Sequence, residues 1–213
     1  MMDEARLKSF LESLDPEEPE YLARIEADAL KDSVPVIRKE TQRLLRFLVR
    51  TTKAEKILEV GTAVAYSALL MWDASGKRAK ITTIENYEKR IRAAEENIRS
   101  SGAEKDITLL AGDAAEILPT LEGTYPLIFM DAAKGQYLSF LPEVTRLLSD
   151  NGLLITDNIW QDGDILESRY AVRRRDRTIH ERMREYLYRL THSDDYDTLL
   201  LNVGDGVALS RKK

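Results

Sequence analysis

Two short stretches in the second half of the chain contain residues whose types suit metal-assisted chemistry. Asp131 begins the stretch DAAKGQY, and Asp157 and Asn158 end the stretch TDN. Each acid follows a short apolar run typical of a buried strand, and the two strands are expected to be neighbours, so their ends should meet. Two carboxylates and an amide oxygen are hard ligands that suit Mg²⁺ or Ca²⁺ and leave positions for water and substrate. The sequence therefore predicts a divalent cation here; the alternative is that Asp131 caps a helix and Asp157-Asn158 forms a turn.

A lysine in the same stretch supplies a candidate base. Lys134 follows Asp131 closely enough to reach the same pocket. A nearby divalent cation would lower the pKa of the lysine ammonium and make Lys134 a plausible general base. The alternative is a solvated loop lysine. Zinc is disfavoured because the chain has no Cys and its two histidines, His180 and His192, lie elsewhere.

An earlier stretch, KILEVGTAVAYS, has the pattern of a ligand-binding turn. The apolar run Ile57–Val60 stops at Gly61, small residues follow, and a helix-like segment begins near Ser67. A strand, a glycine turn and a helix N-terminus present backbone N–H groups to nucleotide-like ligands. A second strand then ends at Glu85, where an acid can accept both hydroxyls of a ribose. This spacing favours a nucleoside cofactor, and the alternative is an α/β strand and turn without a ligand.

The composition of this turn argues against NAD. The turn lacks G-x-G-x-x-G and has Ala63 and Ala65 where further glycines would allow a pyrophosphate to approach the backbone. A ligand that contains adenosine but no phosphates fits better.

Alternating strands and helices must position these residues. A βαβα order predicts a doubly wound, mostly parallel sheet, and Thr198–Ser210 reads as an antiparallel hairpin at its edge. The predicted parallel strands are Ile57–Val60, Ile81–Ile84, Ile107–Ala111, Leu127–Met130 and Gly152–Thr156.

Three predicted helices precede the first strand. They span Asp3–Leu14, Glu20–Lys31 and about Val36–Arg50. The expected apolar stripe of the third helix is Leu44, Leu45, Phe47 and Leu48. These helices are expected to cap the cofactor cleft, to form a dimer face, or merely to cover one edge of the sheet.

Composition limits the remaining possibilities. The chain has 213 residues, 43% of them apolar and 32% charged, which predicts one domain: an N-terminal helical cap over residues 1–52 and a Rossmann-like core over 53–213. No stretch approaches the length of a membrane span, and we expect a cytoplasmic location without membrane contact. The net charge of −5 means that any nucleic-acid binding must come from a local patch.

One segment supplies such a patch. Residues 162–189 are rich in arginine, with Arg173, Arg174, Arg175 and Arg177 the densest group. Arginines contact phosphates and stack on splayed bases, so this group is a candidate RNA-binding surface. The alternative is a solvated helix face on which the arginines alternate with acids.

Together these motifs resemble the cation-dependent O-methyltransferases, S-adenosylmethionine (SAM) enzymes that include the catechol and caffeoyl-CoA methyltransferases. The resemblance runs from about Val34 to the end, through ILEVGTAVAYSAL, TIE, GDA, DAAKGQY and TDN. It implies a seven-stranded Rossmann-like sheet, SAM and Mg²⁺ as cofactors, and a homodimer. Many members have Gly where this chain has Ala65.

The resemblance also implies a role for each site residue. Asp131, Asp157 and Asn158 would hold the cation, Asp131 would also border the cofactor, and Lys134 would deprotonate the acceptor. The remaining cofactor contacts would be Gly61 and Ser67 at the methionine end, Glu85 at the ribose, Asp113 and Ala114 at the adenine, and Ile37 closing over it.

Within this family the chain most resembles the bacterial tRNA 5-hydroxyuridine methyltransferases, through VPVIRKE, VRRRDRTIHERM and NVGDGVALSRKK. That resemblance implies methylation of 5-hydroxyuridine at the wobble position of the tRNA anticodon loop, with Arg173–Arg177 contacting the RNA. Three alternatives stay open: a catechol-type small-molecule methyltransferase, a SAM-binding RNA-interaction protein without catalysis, and an NAD-linked dehydrogenase.

Overall fold

The computed structural model describes residues 4–213, apart from the side chains of residues 4, 5, 161 and 162. Within these described residues, seven strands form one sheet. In chain order they are β1 Lys56–Val60, β2 Lys80–Glu85, β3 Ile107–Ala111, β4 Tyr125–Met130, β5 Leu148–Asp157, β6 Tyr196–Leu201 and β7 Val207–Lys212.

The strand order confirms the doubly wound topology expected from the sequence. The sheet runs β3-β2-β1-β4-β5-β7-β6, so the chain reverses direction across the sheet between β1 and β4. β1 to β5 are parallel, while β7 pairs antiparallel with both β5 and β6. The C-terminal hairpin therefore forms the sheet edge, as predicted. In sheets of this kind ligands bind beyond the carboxyl ends of the strands, beside the reversal.

Helices cover both faces of the sheet. They are α1 Glu4–Ser13, α2 Glu20–Lys31, α3 Lys39–Thr52, α4 Tyr66–Ala74, α5 Glu88–Ser100, α6 Ala114–Ile117, α7 Tyr137–Leu147 and α8 Arg177–His192. Within the described part of the chain, no helix has both the length and the apolar character of a membrane span.

Two hydrophobic cores result, one on each face. Ile57 and Phe129 point to the face covered by α2 to α5, whereas Leu58 and Met130 point to the face covered by α6 to α8. β1 is buried on both sides from Ile57 onward, which is why its sequence is almost continuously apolar. The central strands are thereby fixed in register, and so are the residues that follow them.

The N-terminal helices depart from the predicted pattern at one position. Phe47 was expected in the apolar stripe of α3, but its side chain is 64% exposed. The buried face of α3 is instead formed by Thr41, Gln42, Leu45 and Val49. Phe47 lies off this face, and an apolar pattern does not reveal the face because it includes Gln42, whose Nε2 donates to the Ile37 carbonyl at 2.9 Å. The beginning of the first predicted helix, at Asp3, lies outside the described residues.

Candidate active site

A cavity of about 430 Å³ opens at the carboxyl ends of the central strands. The predicted metal ligands Asp131, Asp157 and Asn158 line it together. Most of the predicted cofactor residues line it as well: Ile37, Gly61, Glu85, Asp113 and Ala114. The fold therefore brings the two predicted sets of residues into one cavity.

The two aspartates lie at the ends of adjacent paired strands and line the same cavity. Burial raises the pKa of Asp131 to about 6, partly offset by the positive charge of Lys134. Burial and the charge of Asp131 raise the pKa of Asp157 to about 7. Two carboxylates that repel each other in a buried cavity, with the amide of Asn158 beside them, form a donor set that a divalent cation fits and would neutralise. No group of three or more His, Cys, Asp and Glu suited to a metal occurs among the described residues, so Asn158 is essential to this assignment.

The strand end that carries Asp157 is held from several sides. The Thr41 hydroxyl donates to Asp157 Oδ1 at 3.5 Å, and the backbone N–H of Asn158 donates to the same oxygen at 2.8 Å. The buried Tyr137 hydroxyl donates to the Asp157 carbonyl at 3.3 Å and thus ties α7 to this strand end. Asn158 adopts a left-handed conformation with φ of 64°, which asparagine tolerates better than most residues.

Lys134 begins the short 3-10 helix Lys134–Gln136, directly after the Asp131 strand end. Its ammonium does not line the cavity, but its charge stabilises the ionised form of Asp131. Among the described contacts, that ammonium forms no hydrogen bond and no ion pair. The position of Lys134 is consequently set by the backbone of its loop.

The glycine turn is packed directly against the strand end that carries Asp131. A Cβ on Gly61 would lie 2.1 Å from the Asp131 carbonyl oxygen, and Gly61 has φ of 99°. Only glycine satisfies both conditions. Ala63 and Ala65 follow with φ of 47° and 65°, so both alanines occupy conformations in which glycine is usual.

Two acids are fixed at the cavity rim by backbone N–H groups. Glu85 accepts hydrogen bonds from the N–H groups of Ala63, Asn86 and Tyr87 at 2.8, 3.0 and 2.9 Å. A carboxylate has further lone pairs, so Glu85 can still accept ligand hydroxyls. Asp113 caps α6, with Oδ1 accepting from the Ala115 N–H at 2.8 Å.

The comparison with known proteins bears directly on this site. The model of a family described as O-methyltransferase matches residues 12–213. The chain belongs to the O-methyltransferase family.

Two named relatives show how much of the chain aligns with other proteins. The catechol O-methyltransferase of Niastella koreensis is 32% identical over 129 residues, which cover 59% of this chain and 58% of that protein. The caffeoyl-CoA O-methyltransferase 2 of Populus trichocarpa is 25% identical over 213 residues, which cover 94% of this chain and 85% of that protein. The chain thus spans under two thirds of the first relative and most of the second.

Solved structures of the family share the fold over nearly the whole chain. The methyltransferase PaMTH1 of Podospora anserina, bound to S-adenosylhomocysteine, superposes with a TM-score of 0.88 and 27% identity, covering 98% of this chain and 94% of that one.

One of the cofactor residues predicted for the present chain lies away from the cavity. Ser67 does not line it and instead lies beside the buried side chain of Glu59. Glu59 is fully buried, and burial raises its pKa to about 8 although the Ser67 and Thr83 hydroxyls oppose the rise. Its Oε2 accepts from Thr83 at 2.5 Å, whereas Oε1 has no hydrogen-bond partner. Sequence reasoning did not assign Glu59 a role, although an acid within an apolar strand was a visible signal.

An ion pair between two cavity-lining residues was also not expected from the sequence. Arg38 Nε donates to Asp205 Oδ2 at 2.7 Å, and both residues line the cavity. Asp205 lies in the turn between β6 and β7, so the pair joins the N-terminal segment to the C-terminal hairpin. A Cβ on Gly204 would lie 2.5 Å from Thr41 Oγ1, so the turn also packs closely against α3.

The arginine segment of this family member divides into two groups. Arg173, Arg174 and Arg175 are exposed, whereas Arg177 donates to the Val172 and Tyr170 carbonyls at 3.2 and 3.4 Å and thus stabilises its own segment. On α8, only some of the arginines belong to the solvated face that was the alternative prediction. Arg189 pairs with Glu185 on the helix surface, but Arg182 and Arg184 donate to backbone carbonyls of other segments.

Proposed function

We propose that the protein transfers the methyl group of SAM to a hydroxyl that stands beside a second oxygen, with the help of a divalent cation. The observation that carries this proposal is the cavity that Asp131, Asp157 and Asn158 share with Gly61 and Glu85. The residues proposed to hold the cation and those proposed to hold the nucleoside of SAM line it together. Family membership supports the same chemistry.

The chain's own residues divide this work. Asp131, Asp157 and Asn158 would hold the cation, which when bound lowers the pKa of a hydroxyl that it coordinates. Lys134 Nζ, whose charge acts on Asp131, would accept the proton of that hydroxyl. Glu85 would accept the ribose hydroxyls of SAM, and the turn at Gly61 would lie along its methionine end. Ile37 would cover the cofactor and help to exclude water.

Methyl transfer is an in-line displacement at carbon, so alignment contributes much of the rate. The deprotonated oxygen must point along the sulfur–methyl axis. Fixed groups on both sides of the cavity serve this purpose: Glu85 is held by backbone N–H groups, and Asp157 by Thr41 and the Asn158 N–H. We expect Lys134→Ala to lower turnover by at least about 100-fold while leaving SAM affinity unchanged.

We propose a catechol-type small molecule as the acceptor. Its adjacent hydroxyls supply the two oxygens that the cation site requires, and the names of the relatives support this class. The test is incubation with SAM, Mg²⁺ and 3,4-dihydroxybenzoic acid, with mass spectrometry of the product. Formation of a monomethyl ether that depends on Lys134 supports the proposal; no product from a panel of catechols contradicts it.

A second candidate acceptor is 5-hydroxyuridine in the tRNA anticodon loop, whose 5-hydroxyl and O4 carbonyl form a similar pair. The specific observation in its favour is the position of the exposed Arg173, Arg174 and Arg175. They precede α8, the helix whose Arg182 side chain donates to the Gly135 carbonyl at 2.9 Å, directly beside Lys134. Exposed positive groups on the segment that leads into this helix suit a nucleic-acid substrate.

The test for this candidate uses tRNA that lacks 5-methoxyuridine but contains 5-hydroxyuridine. Incubation with SAM and Mg²⁺ should then yield 5-methoxyuridine, read by nucleoside mass spectrometry. Substitution of Arg173, Arg174 and Arg175 by Ala should weaken tRNA binding and flatten its salt dependence. An unchanged salt slope, or turnover of the catechol alone, would reject the tRNA candidate.

We also propose a homodimer formed through the N-terminal helices. Phe10 on α1 and Phe47 on α3 are 59% and 64% exposed, and such large apolar side chains are favoured in interfaces. Light scattering should give a dimer that Phe10→Ser combined with Phe47→Ser converts to a monomer. A monomeric wild type would reject this proposal.

A further inference from the structure

The loop that carries Lys134 is anchored from one side by α8. Arg182 Nη1 donates to the carbonyl oxygen of Gly135, the residue after Lys134, at 2.9 Å. The two residues are 47 positions apart in the sequence. On the same helix Ile179 packs against this loop, because a Cβ on Gly135 would lie 3.6 Å from Ile179 Cγ1.

The loop is held at its two ends by Asp131 and Tyr137, but the described contacts give the Lys134 side chain no anchor of its own. Its ammonium makes none of the hydrogen bonds or ion pairs described, and no side chain caps the 3-10 helix that it begins. Within the loop, the Gln136 N–H donates to the Ala133 carbonyl at 2.8 Å, a local bond that closes the turn without attaching it to the rest of the protein. The location of the ammonium therefore depends on where α8 holds the loop backbone.

We propose that Arg182 is a positioning residue, whose bond to the Gly135 carbonyl places the Lys134 ammonium beside Asp131. This inference rests on the proposed function, because it takes Lys134 to be the base. Arg182 does not line the cavity, so its effect passes through the loop backbone.

The chain offers a matched control on the same helix. Arg184 is also exposed, and its Nη1 donates to the Ile165 carbonyl at 3.0 Å. Each arginine thus attaches α8 to a backbone carbonyl of a different segment. Of the two, only Arg182 reaches the Lys134 loop. Arg182→Ala and Arg184→Ala remove equal charge from the same helix, so a difference between them at the Lys134 loop reports the loop contact.

The deciding experiment is amide hydrogen exchange of the peptide 131–138 in the full chain without ligands. Loss of one hydrogen bond should speed exchange there about fivefold in Arg182→Ala. Arg184→Ala should leave this peptide unchanged and speed exchange near residue 165 instead. Unchanged exchange at 131–138 in Arg182→Ala, or equal acceleration in both variants, would overturn the inference.

Kinetics on the acceptor that the wild type methylates gives a second readout. Arg182→Ala should lower kcat about fivefold with an unchanged Kd for SAM, and Arg182→Lys, which keeps one donor, should recover part of the loss. In a Lys134→Ala background, Arg182→Ala should have no further effect. Full activity of Lys134→Ala alone would reject Lys134 as the base, whereas the exchange measurement decides separately whether Arg182 anchors the loop.

Discussion

Asp131 and Asp157 directly follow Met130 and Thr156, which are register partners in the parallel pair β4 and β5. Parallel pairing places both carboxylates at the same end of the sheet and at the same height. A shift of one residue in either strand would turn its acid towards the other face. The placement of the two carboxylates is therefore a property of strand register, which the apolar residues on both faces of these strands determine.

The first prediction concerns the repulsion between these carboxylates. Asp157→Asn should raise the free energy of unfolding of the cation-free protein by about 1 kcal/mol, because it removes one of two facing buried charges and keeps the acceptor for the Asn158 N–H. Urea denaturation in EDTA at pH 8 measures this. Asp113→Asn is the control: asparagine caps a helix as well as aspartate does, so stability should not change. A less stable Asp157→Asn protein would contradict the arrangement.

The second prediction concerns the glycine turn. Gly61→Ala should lower the free energy of unfolding by about 3 kcal/mol or more, because the new Cβ would meet the Asp131 carbonyl oxygen at 2.1 Å and because φ is 99°. Gly102→Ala is the matched control, since φ there is 71° but no atom lies within 4 Å of the added Cβ. Gly102→Ala should lower the free energy of unfolding by about 1 kcal/mol. Equal losses in the two variants would show that contact with Asp131 is unimportant.

The third prediction concerns pH. Burial raises the pKa of Glu59 to about 8 from its usual 4.5, so the folded state favours the protonated carboxyl more than the unfolded state does. The contribution of Glu59 to the free energy of unfolding is fully present below pH 4.5 and is lost as the pH rises through about 8. Glu59→Gln, which stays neutral, should therefore become more stable relative to wild type between pH 6 and 9.

Chemical denaturation across that pH range, without SAM, makes the measurement. Glu95→Gln, at an exposed position on α5, is the control and should keep a constant difference from wild type. A stability difference for Glu59→Gln that does not vary with pH would mean that Glu59 does not titrate in this range.

The fourth prediction concerns the Arg38–Asp205 ion pair. Arg38→Ala should weaken binding of S-adenosylhomocysteine about threefold, because the N-terminal segment over the cavity loses its attachment to the β6–β7 turn. Arg43, which makes a two-bond contact with Asp15 elsewhere on α3, supplies the control. Calorimetry should find unchanged affinity in Arg43→Ala, and recovery in the charge-reversed double variant Arg38→Asp with Asp205→Arg. Equal affinities in the wild type and Arg38→Ala would exclude a closing role.

Much of the fold was predictable because it depends on local pattern. β3 was predicted with its observed ends, Ile107–Ala111, and the acids Glu85, Asp131 and Asp157 at predicted strand ends marked the edge at which the cavity lies. Parallel strands buried on both faces have continuous apolar runs, and alternation with helices leaves few topologies. The positions of Asp131 and Asp157 follow from that topology once the strand ends are known.

Features that depend on distant contacts were not predictable in this way. Arg38 and Asp205 are 167 positions apart, and nothing in either neighbourhood indicates the other. Arg182 and Arg189 look alike in sequence, yet the first reaches Gly135 and the second pairs with Glu185 on its own helix. The exposure of Phe47 likewise follows from which side of α3 meets its neighbours, which a helical period alone does not specify.

The most direct test of the account is the cation dependence of methyl transfer from labelled SAM, measured with catechol and with 5-hydroxyuridine-containing tRNA as acceptors. We predict that EDTA treatment of the wild type and the substitution Asp157→Ala each lower methyl transfer to the true acceptor by about 100-fold or more. Added Mg²⁺ should restore the activity of the EDTA-treated wild type but not that of Asp157→Ala. Transfer that continues undiminished in EDTA would contradict the central claim that Asp131, Asp157 and Asn158 act through a bound cation.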